Sequence, residues 1–262
     1  MQRVSKAWRW PLGGVAAAGA GSMFVPVGGM LWTHLLVSLG ATSVLVRLAH
    51  REVPFPVALM QWRLGGDDPR VLRARALSAV ACLPRGRVGV AVTRLQEVLP
   101  ELTRVMGPDH PDTLSARRLS LQLRGETGGL PDRIAAMKAL LSDVNRVLGP
   151  GHPDTLAGHY CVAEWLNQDG RTEEAEAAYL DVITTGTQEL GPDHNITLMA
   201  RSSLAILHYY GTAQDKPRAV EEMAAVVDGM ERTLGPEHSS TAATRRLLTQ
   251  WSSATTTDPT SS

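Results

Sequence analysis

Four histidines recur in this sequence beside aspartates, and both residue types can ligate a metal ion or move protons in hydrolysis. They belong to one short motif that is written four times, as VMGPDHPDTL at 105–114, VLGPGHPDTL at 147–156, ELGPDHNITL at 189–198 and TLGPEHSSTA at 233–242. The histidines are His110, His152, His194 and His238, and the aspartates are Asp109, Asp112, Asp154 and Asp193. A metal site needs several ligands around one point, whereas these histidines stand a full repeat apart. We therefore expect turn and helix-capping residues here, with no metal and no cofactor.

None of the common catalytic motifs occurs in the rest of the chain. The sequence has no GxSxG nucleophile elbow, no HExxH zinc motif and no GxxxxGK[ST] phosphate loop. Cys82 and Cys161 are far apart, without metal or redox spacing, which favours a reducing compartment. Lysine plus arginine and aspartate plus glutamate both total 26, and aromatic residues make up 5%. This balance gives no indication of nucleic acid binding, and we predict that the chain is not an enzyme.

The motif copies fix a period, because their glycines are separated by 42, 42 and 44 residues. Self-similarity at such a period is typical of a helical solenoid. Subtracting 42 from Pro111 leads to Pro69, so a degenerate first unit begins near Asp68. The sequence predicts a repeat domain at 68–251, with units at 69–110, 111–152, 153–194 and 195–238, a terminal helix at 239–251 and a disordered tail at 252–262.

Each unit is predicted to contain two helices, A and B. Helix A begins at the motif, where a proline suits the first helical position and an aspartate favours the positive end of the helix dipole. Thr172 is predicted to cap helix B of the third unit. A Leu-Gly-Pro sequence ends helix B, with the glycine expected in the left-handed conformation. Apolar residues recur at equivalent positions, such as Leu72, Leu114, Leu156 and Leu198, and a stack of units would bury them.

The first 50 residues predict a different kind of element. No Asp, Glu, Lys or Arg occurs from Pro11 to Val46, a run of 36 residues, whereas a membrane-spanning helix needs about 20. Three interpretations remain open: a hairpin of two helices, a single span at about 28–48, and a secretory leader. We favour membrane attachment through residues 11–48, because the apolar run is longer than that of a leader.

The flanks of this segment predict its orientation. Basic residues lie on both sides of it, and for the hairpin this places both flanks, and with them the repeat domain, in the cytoplasm at the cell membrane. Residues 51–67 are predicted to form a linker, since Pro54 and Pro56 forbid a continuous helix there.

The repeating unit resembles a known family. The LGPxHPDTL joint between units and the sequence GRTEEAE at 170–176 are similar to tetratricopeptide repeats of the kinesin light chain type, as found in actinobacterial proteins. The resemblance covers about 68–251 and implies an all-α fold, a right-handed solenoid of antiparallel helix pairs. It also implies a concave face, lined by the A helices, that holds peptides or proteins. Arg118, Tyr160 and Ser202 stand where the family has asparagines.

A column of basic residues occupies one position of helix A. It consists of Arg75, Arg117, His159, Arg201 and Arg245. Stacked units would align this column as a ladder, and guanidinium groups pair well with carboxylates or phosphates, so an acidic peptide is one candidate ligand. The alternative is that each arginine pairs with an acidic residue of a neighbouring helix.

The sequence as a whole predicts a membrane-anchored scaffold that binds a protein or peptide partner on the concave face of its repeats, with an acidic partner as one candidate. The alternative is a soluble regulatory or adaptor subunit of a signalling complex, whose N-terminal apolar segment packs on a partner.

Overall fold

The computed structural model describes residues 57–81, 83, 86–128, 132–211 and 215–256. These residues form ten α-helices and no strand. The helices are α1 (Val57–Leu64), α2 (Pro69–Val80), α3 (Val88–Met106), α4 (Pro111–Glu126), α5 (Arg133–Leu148), α6 (Pro153–Gln168), α7 (Thr172–Glu189), α8 (Asn195–Gly211), α9 (Lys216–Leu234) and α10 (Ser239–Thr256).

The helices stack as successive pairs. Helices α2, α4, α6 and α8 are the A helices, and α3, α5, α7 and α9 are the B helices that follow them. Each helix packs on the next one along the chain, and the A helices of neighbouring units also touch, α4 on α6 and α6 on α8. Short turns between consecutive packed helices make each pair antiparallel. The predicted all-α solenoid is confirmed.

Burial of the repeated apolar positions holds the stack together. Leu72, Leu114, Leu156 and Leu198 are each at most 2% exposed. Small residues occupy a second buried column, where Ala79, Ala163 and Ala205 allow close approach of the helices. A single helix pair would leave these faces in water, so the units stabilise one another.

Glycine lies at the end of each B helix with a positive φ, as predicted for Gly191, whose φ is 98°. Gly107, Gly149 and Gly235 have φ of 95°, 86° and 90° with ψ of 159°, 165° and 158°. This combination of positive φ and extended ψ is accessible to glycine alone.

Three local details differ from expectation. Helix α1 lies inside the stretch predicted as a linker, beginning directly after Pro56. Helix α10 runs to Thr256, five residues beyond the predicted end at Trp251. The predicted cap at Thr172 is wrong, because Thr172 is already helical and Arg171 precedes it, paired with Glu174 instead of capping by its side chain.

The predicted membrane segment at 11–48 lies outside the described residues, as does most of the tail. Within the described ranges, no helix combines the length and the apolar character needed to cross a bilayer.

Candidate functional site

The motif histidines are helix N-caps. His110 and His152 accept the backbone N–H of Asp112 and Asp154 on Nδ1, at 3.1 Å in both cases. His194 and His238 accept the N–H two residues ahead in the same way, at 3.3 Å. In the degenerate first unit the Asp68 carboxylate takes this role, accepting from Arg70 N–H at 2.8 Å. The capping role predicted for these residues is confirmed, and each histidine satisfies one of the free donors at a helix start.

The aspartates at the start of helix A join neighbouring units. Arg73 of α2 donates to Asp112 of α4, and Ser115 of α4 donates to Asp154 of α6 at 2.5 Å. At the next joint the equivalent residues are Ala157 and Ile196, both fully buried in one apolar cluster. The same position therefore changes from an ion pair to a hydrogen bond to an apolar contact along the array.

A second recurring ion pair ties the end of helix B to the turn before helix A. Arg104 pairs with Asp67, Arg146 with Asp109 at 2.8 Å and Arg232 with Asp193 at 2.7 Å. The bond from Arg232 lowers the pKa of the Asp193 carboxyl.

This ion pair is absent between α7 and the turn before α6, where Gln188 and Gly151 stand at the equivalent positions. A Cβ added to Gly151 would overlap the side chain of Glu189, so helix B and the turn come closer together here. The aspartates of the motif thus serve the joints between elements, and no group of three potential metal ligands exists among the described residues.

A buried polar network fills the contact between α4 and α6. Arg118 is fully buried; its Nε donates to Asp154 Oδ1 at 3.1 Å and its Nη1 to Gln122 Oε1 at 3.0 Å. Gln122 in turn donates to Glu126 at 3.2 Å. Burial raises the pKa of Glu126 to about 7, with the charge of Glu164 acting in the same direction. Arg118, Gln122 and Glu126 occupy one face of α4 at a spacing of four residues.

Tyr160 and Ser202, which occupy the position of Arg118 in the next two units, are buried as well. Tyr160 is 5% exposed and lies 3.0 Å from the hydroxyl of Ser203, while Ser202 is 1% exposed and contacts Met223. Cys161 beside them is buried, which raises the pKa of its thiol and makes it a poor nucleophile. The positions that differ from the family's asparagines are therefore used in packing between units.

The basic column does not form one uniform ladder. Arg75 pairs with Glu101 of α3 at 2.5 Å, and Arg245 pairs with Glu231 of α9 at 2.6 Å. Arg201 lies close enough to Asp193 for its charge to help lower the pKa of that carboxyl.

The remaining two members of the column differ from these. His159 is exposed. Partial desolvation lowers the pKa of its imidazole, while the negative charge of Asp181 acts in the opposite direction. Arg117 has no ion pair within the described part of the chain.

Arg117 instead lines an open cleft between α3 and α4, which we call the α3–α4 cleft. Leu99, Pro100 and Thr103 of α3 form one side. Ser120 and Arg124 of α4 stand on the other side with Arg117, and Arg104 lies at the end of α3. Sequence reasoning found Arg117 but missed Arg124, although comparison of the units at a spacing of 42 would have shown an arginine where the third unit has leucine.

Comparisons with known proteins agree with this architecture. Residues 161–196 match the model of a tetratricopeptide repeat family. No curated protein matches the chain. The predicted similarity to tetratricopeptide repeats of the kinesin light chain type is confirmed at the level of the fold.

Two of the similar solved structures are crystal structures of a candidate kinesin light chain from Podosopora anserina with nearly identical TPR-like repeats. The structure of a single-substitution variant of that protein matches with a TM-score of 0.53 and 22% identity, over 70% of this chain and 86% of that one. The other matches with the same TM-score and identity, over 72% and 88%.

Proposed function

We propose that this chain is a non-enzymatic scaffold whose helical repeat array binds a protein partner. The observation that carries the proposal is how the conspicuous polar motif is used. Its four histidines cap helices, and its aspartates hold neighbouring units and turns together. These histidines and aspartates, which could have ligated a metal or moved protons, instead hold together an extended surface. Stacked repeats contact their partners through such surfaces.

Affinity capture of the full-length chain tests the scaffold. The tagged chain is purified from its own cells after cross-linking, and the retained proteins are quantified by mass spectrometry. Arg117→Ala combined with Arg201→Ala removes two members of the basic column. The matched control, Arg87→Ala with Arg246→Ala, removes two exposed arginines that lie elsewhere.

We expect a defined protein to be retained by the natural chain and by the control, and to be reduced by the Arg117/Arg201 change at low salt. Failure of the natural chain to retain any protein would contradict the scaffold. If the Arg117/Arg201 change does not reduce retention of the protein, the basic column is not part of the binding surface. That result would not contradict the scaffold.

We further propose that residues 11–48 attach the scaffold to the cell membrane, with the repeats in the cytoplasm. The support is the uncharged run of 36 residues with basic residues on both flanks. Alkaline extraction of membranes from cells that make the full chain tests this. Retention in the pellet is expected; release into the soluble fraction would overturn the anchor and favour a soluble adaptor subunit.

A further inference from the structure

Charge is divided unequally along the array. Residues 57–152, which include α1 and the first two units, contain 14 arginines and lysines against 9 aspartates and glutamates. Residues 153–238, which form the third and fourth units, contain 5 against 15. The net charge is therefore +5 in the first half and −10 in the second, although the chain as a whole is neutral. A charged surface outside the molecule would attract one half of the array and repel the other.

The acidic excess of the second half lies at its surface. Helix α7 carries Glu173 and Asp181, and α9 carries Glu221 and Asp228. All four residues are exposed, and none forms an ion pair within the described ranges of the chain. Because these carboxylates are not neutralised by neighbours, an anionic surface would repel the third and fourth units.

The other end of the array presents arginines that can take a further anion. Arg63, near the end of α1, is exposed and has no ion pair among the residues that the structure describes. Arg70, in the first turn of α2, is also exposed and donates to Asp68 through Nε and Nη2, which leaves its Nη1 without a described acceptor. Leu64 lies beside Arg63 and is 39% exposed. We call Arg63, Leu64 and Arg70 the N-terminal surface.

The N-terminal surface is also the part of the array that lies closest along the chain to the proposed membrane segment. Only eight residues, 49–56, separate residue 48 from the start of α1 at Val57. Eight residues span at most about 29 Å when fully extended. Helix α1 therefore begins within that distance of the apolar run, whereas the acidic units follow two helix pairs later. The covalent connection and the net charge select the same end of the array.

From the division of charge and the short connection we infer that the N-terminal surface docks on a bilayer of anionic phospholipids, with the third and fourth units directed away from it. The inference rests on the proposed membrane attachment and adds the orientation of the repeats. Arg63 and Arg70 pair with the phosphates and carboxylates of the headgroups, and Leu64 enters the boundary between headgroups and acyl chains. The acidic units then face the solution, where a protein partner can reach them.

Hydrogen–deuterium exchange of the full-length chain on lipid vesicles tests this orientation. One set of vesicles is phosphatidylcholine alone, and the other contains about one third phosphatidylserine. Flotation through a density gradient first measures whether the chain is attached to each set. Arg63→Glu with Arg70→Glu reverses the charge of the N-terminal surface. The matched control, Arg218→Glu with Arg246→Glu, reverses two exposed arginines of α9 and α10.

We expect the chain to float with both sets of vesicles. The amides of α1 and of the first turns of α2 should exchange at least about twofold more slowly on the anionic set, whereas α7 and α9 should exchange equally on both. The Arg63/Arg70 reversal should abolish this protection, and the control should keep it. Arg63→Lys with Arg70→Lys, which conserves both charges, should keep it as well. Salt at about 1 M, where the Debye length is about 3 Å, should remove it.

Three results would overturn the docking: equal exchange of α1 and α2 on the two sets, protection of α7 or α9 on the anionic set, or equal loss of protection in the two charge-reversed variants. A chain that floats with neither set would contradict the anchor and the docking together. Flotation with the anionic set alone would contradict the anchor and support the docking, so failure of the two proposals is distinguishable.

Discussion

Arg118 of α4 and Asp154 of α6 form a buried ion pair that joins two units of the array. Nε and Nη2 of Arg118 lie 3.1 Å and 3.0 Å from Oδ1 of Asp154, and the arginine is fully buried. The second carboxylate oxygen of Asp154 accepts from Ser115 at 2.5 Å. The pair lies where α4 and α6 meet, and it closes the joint between the second and third units.

Arg118→Ala is predicted to destabilise the protein strongly, because it leaves the Asp154 carboxylate poorly paired. Removing one partner of a buried pair costs about 3–5 kcal/mol. The urea concentration at which helicity is lost, measured by circular dichroism, should fall accordingly. The control is Arg117→Ala, because Arg117 lies one residue away and has no ion pair among the described residues. This change should leave the urea concentration nearly unchanged. Equal effects of the two changes would show that the Arg118 pair does not hold the joint.

His152→Ala is predicted to lower the free energy of unfolding by about 1 kcal/mol, the typical cost of a lost N-cap. His152→Asp should restore most of it, since Asp68 caps the first unit with its carboxylate. Both are measured by urea denaturation. If the His152→Asp protein is as stable as the natural chain but no longer binds the partner, His152 has a role beyond capping the helix.

Gly125→Ala is predicted to destabilise the joint between α4 and α6. A Cβ at this position would lie 2.5 Å from the ring of Trp165, which is 1% exposed and cannot retreat. Overpacking of this kind costs about 1–3 kcal/mol. The control is Gly89→Ala in α3, where no atom lies within 4 Å of the added carbon.

Gly89→Ala should stabilise its helix by up to about 1 kcal/mol, because alanine has the higher helix propensity. Thermal melts of both glycine variants measure the difference. A Gly125→Ala protein that melts above the natural chain would exclude the tight contact with Trp165.

The contribution of Glu126 to the stability of the protein is predicted to fall as the pH rises from about 4.5 to 7. Burial raises the pKa of Glu126 to about 7, so in this window the folded state keeps a proton that the unfolded state releases. The folded form binds more protons, and stability declines by up to about 1.4 kcal/mol per pH unit from this group.

The groups that face Glu126 are Gln122 on its own helix, Glu164 of α6 and Arg133 of α5. Glu126→Gln should flatten this part of the pH dependence, as measured by urea denaturation at several pH values. A profile that is unchanged in the variant would exclude Glu126 as the source.

The fold was predicted best where the same residue types recur at a fixed spacing along the chain. Proline, glycine and histidine at fixed spacing predicted where the A helices begin, and the leucine column predicted which face is buried. Glycine at the helix end was recognised as necessary, but its ψ could not be predicted, because both glycine-only regions satisfy the same pattern.

The site was less predictable than the fold. Stacking aligns Arg75 and Arg117 in the same column, yet their pairing differs. Arg75 pairs with Glu101, whereas Asp143, at the equivalent position of the second unit, pairs with Arg146. The burial of Arg118 depends on Asp154 of the following unit, and the cleft is lined by residues of both α3 and α4. Such pairings between units are set by the superhelical geometry, which the spacing of residues along the chain does not contain.

Hydrogen–deuterium exchange of the full-length chain, alone and in complex with the protein that it retains in affinity capture, tests the scaffold most directly. The prediction is slower exchange in helices of the repeat array within 57–256 when the partner is bound. Unchanged exchange in all of these helices, with protection confined to other parts of the chain, would contradict the proposal that the array is the binding surface.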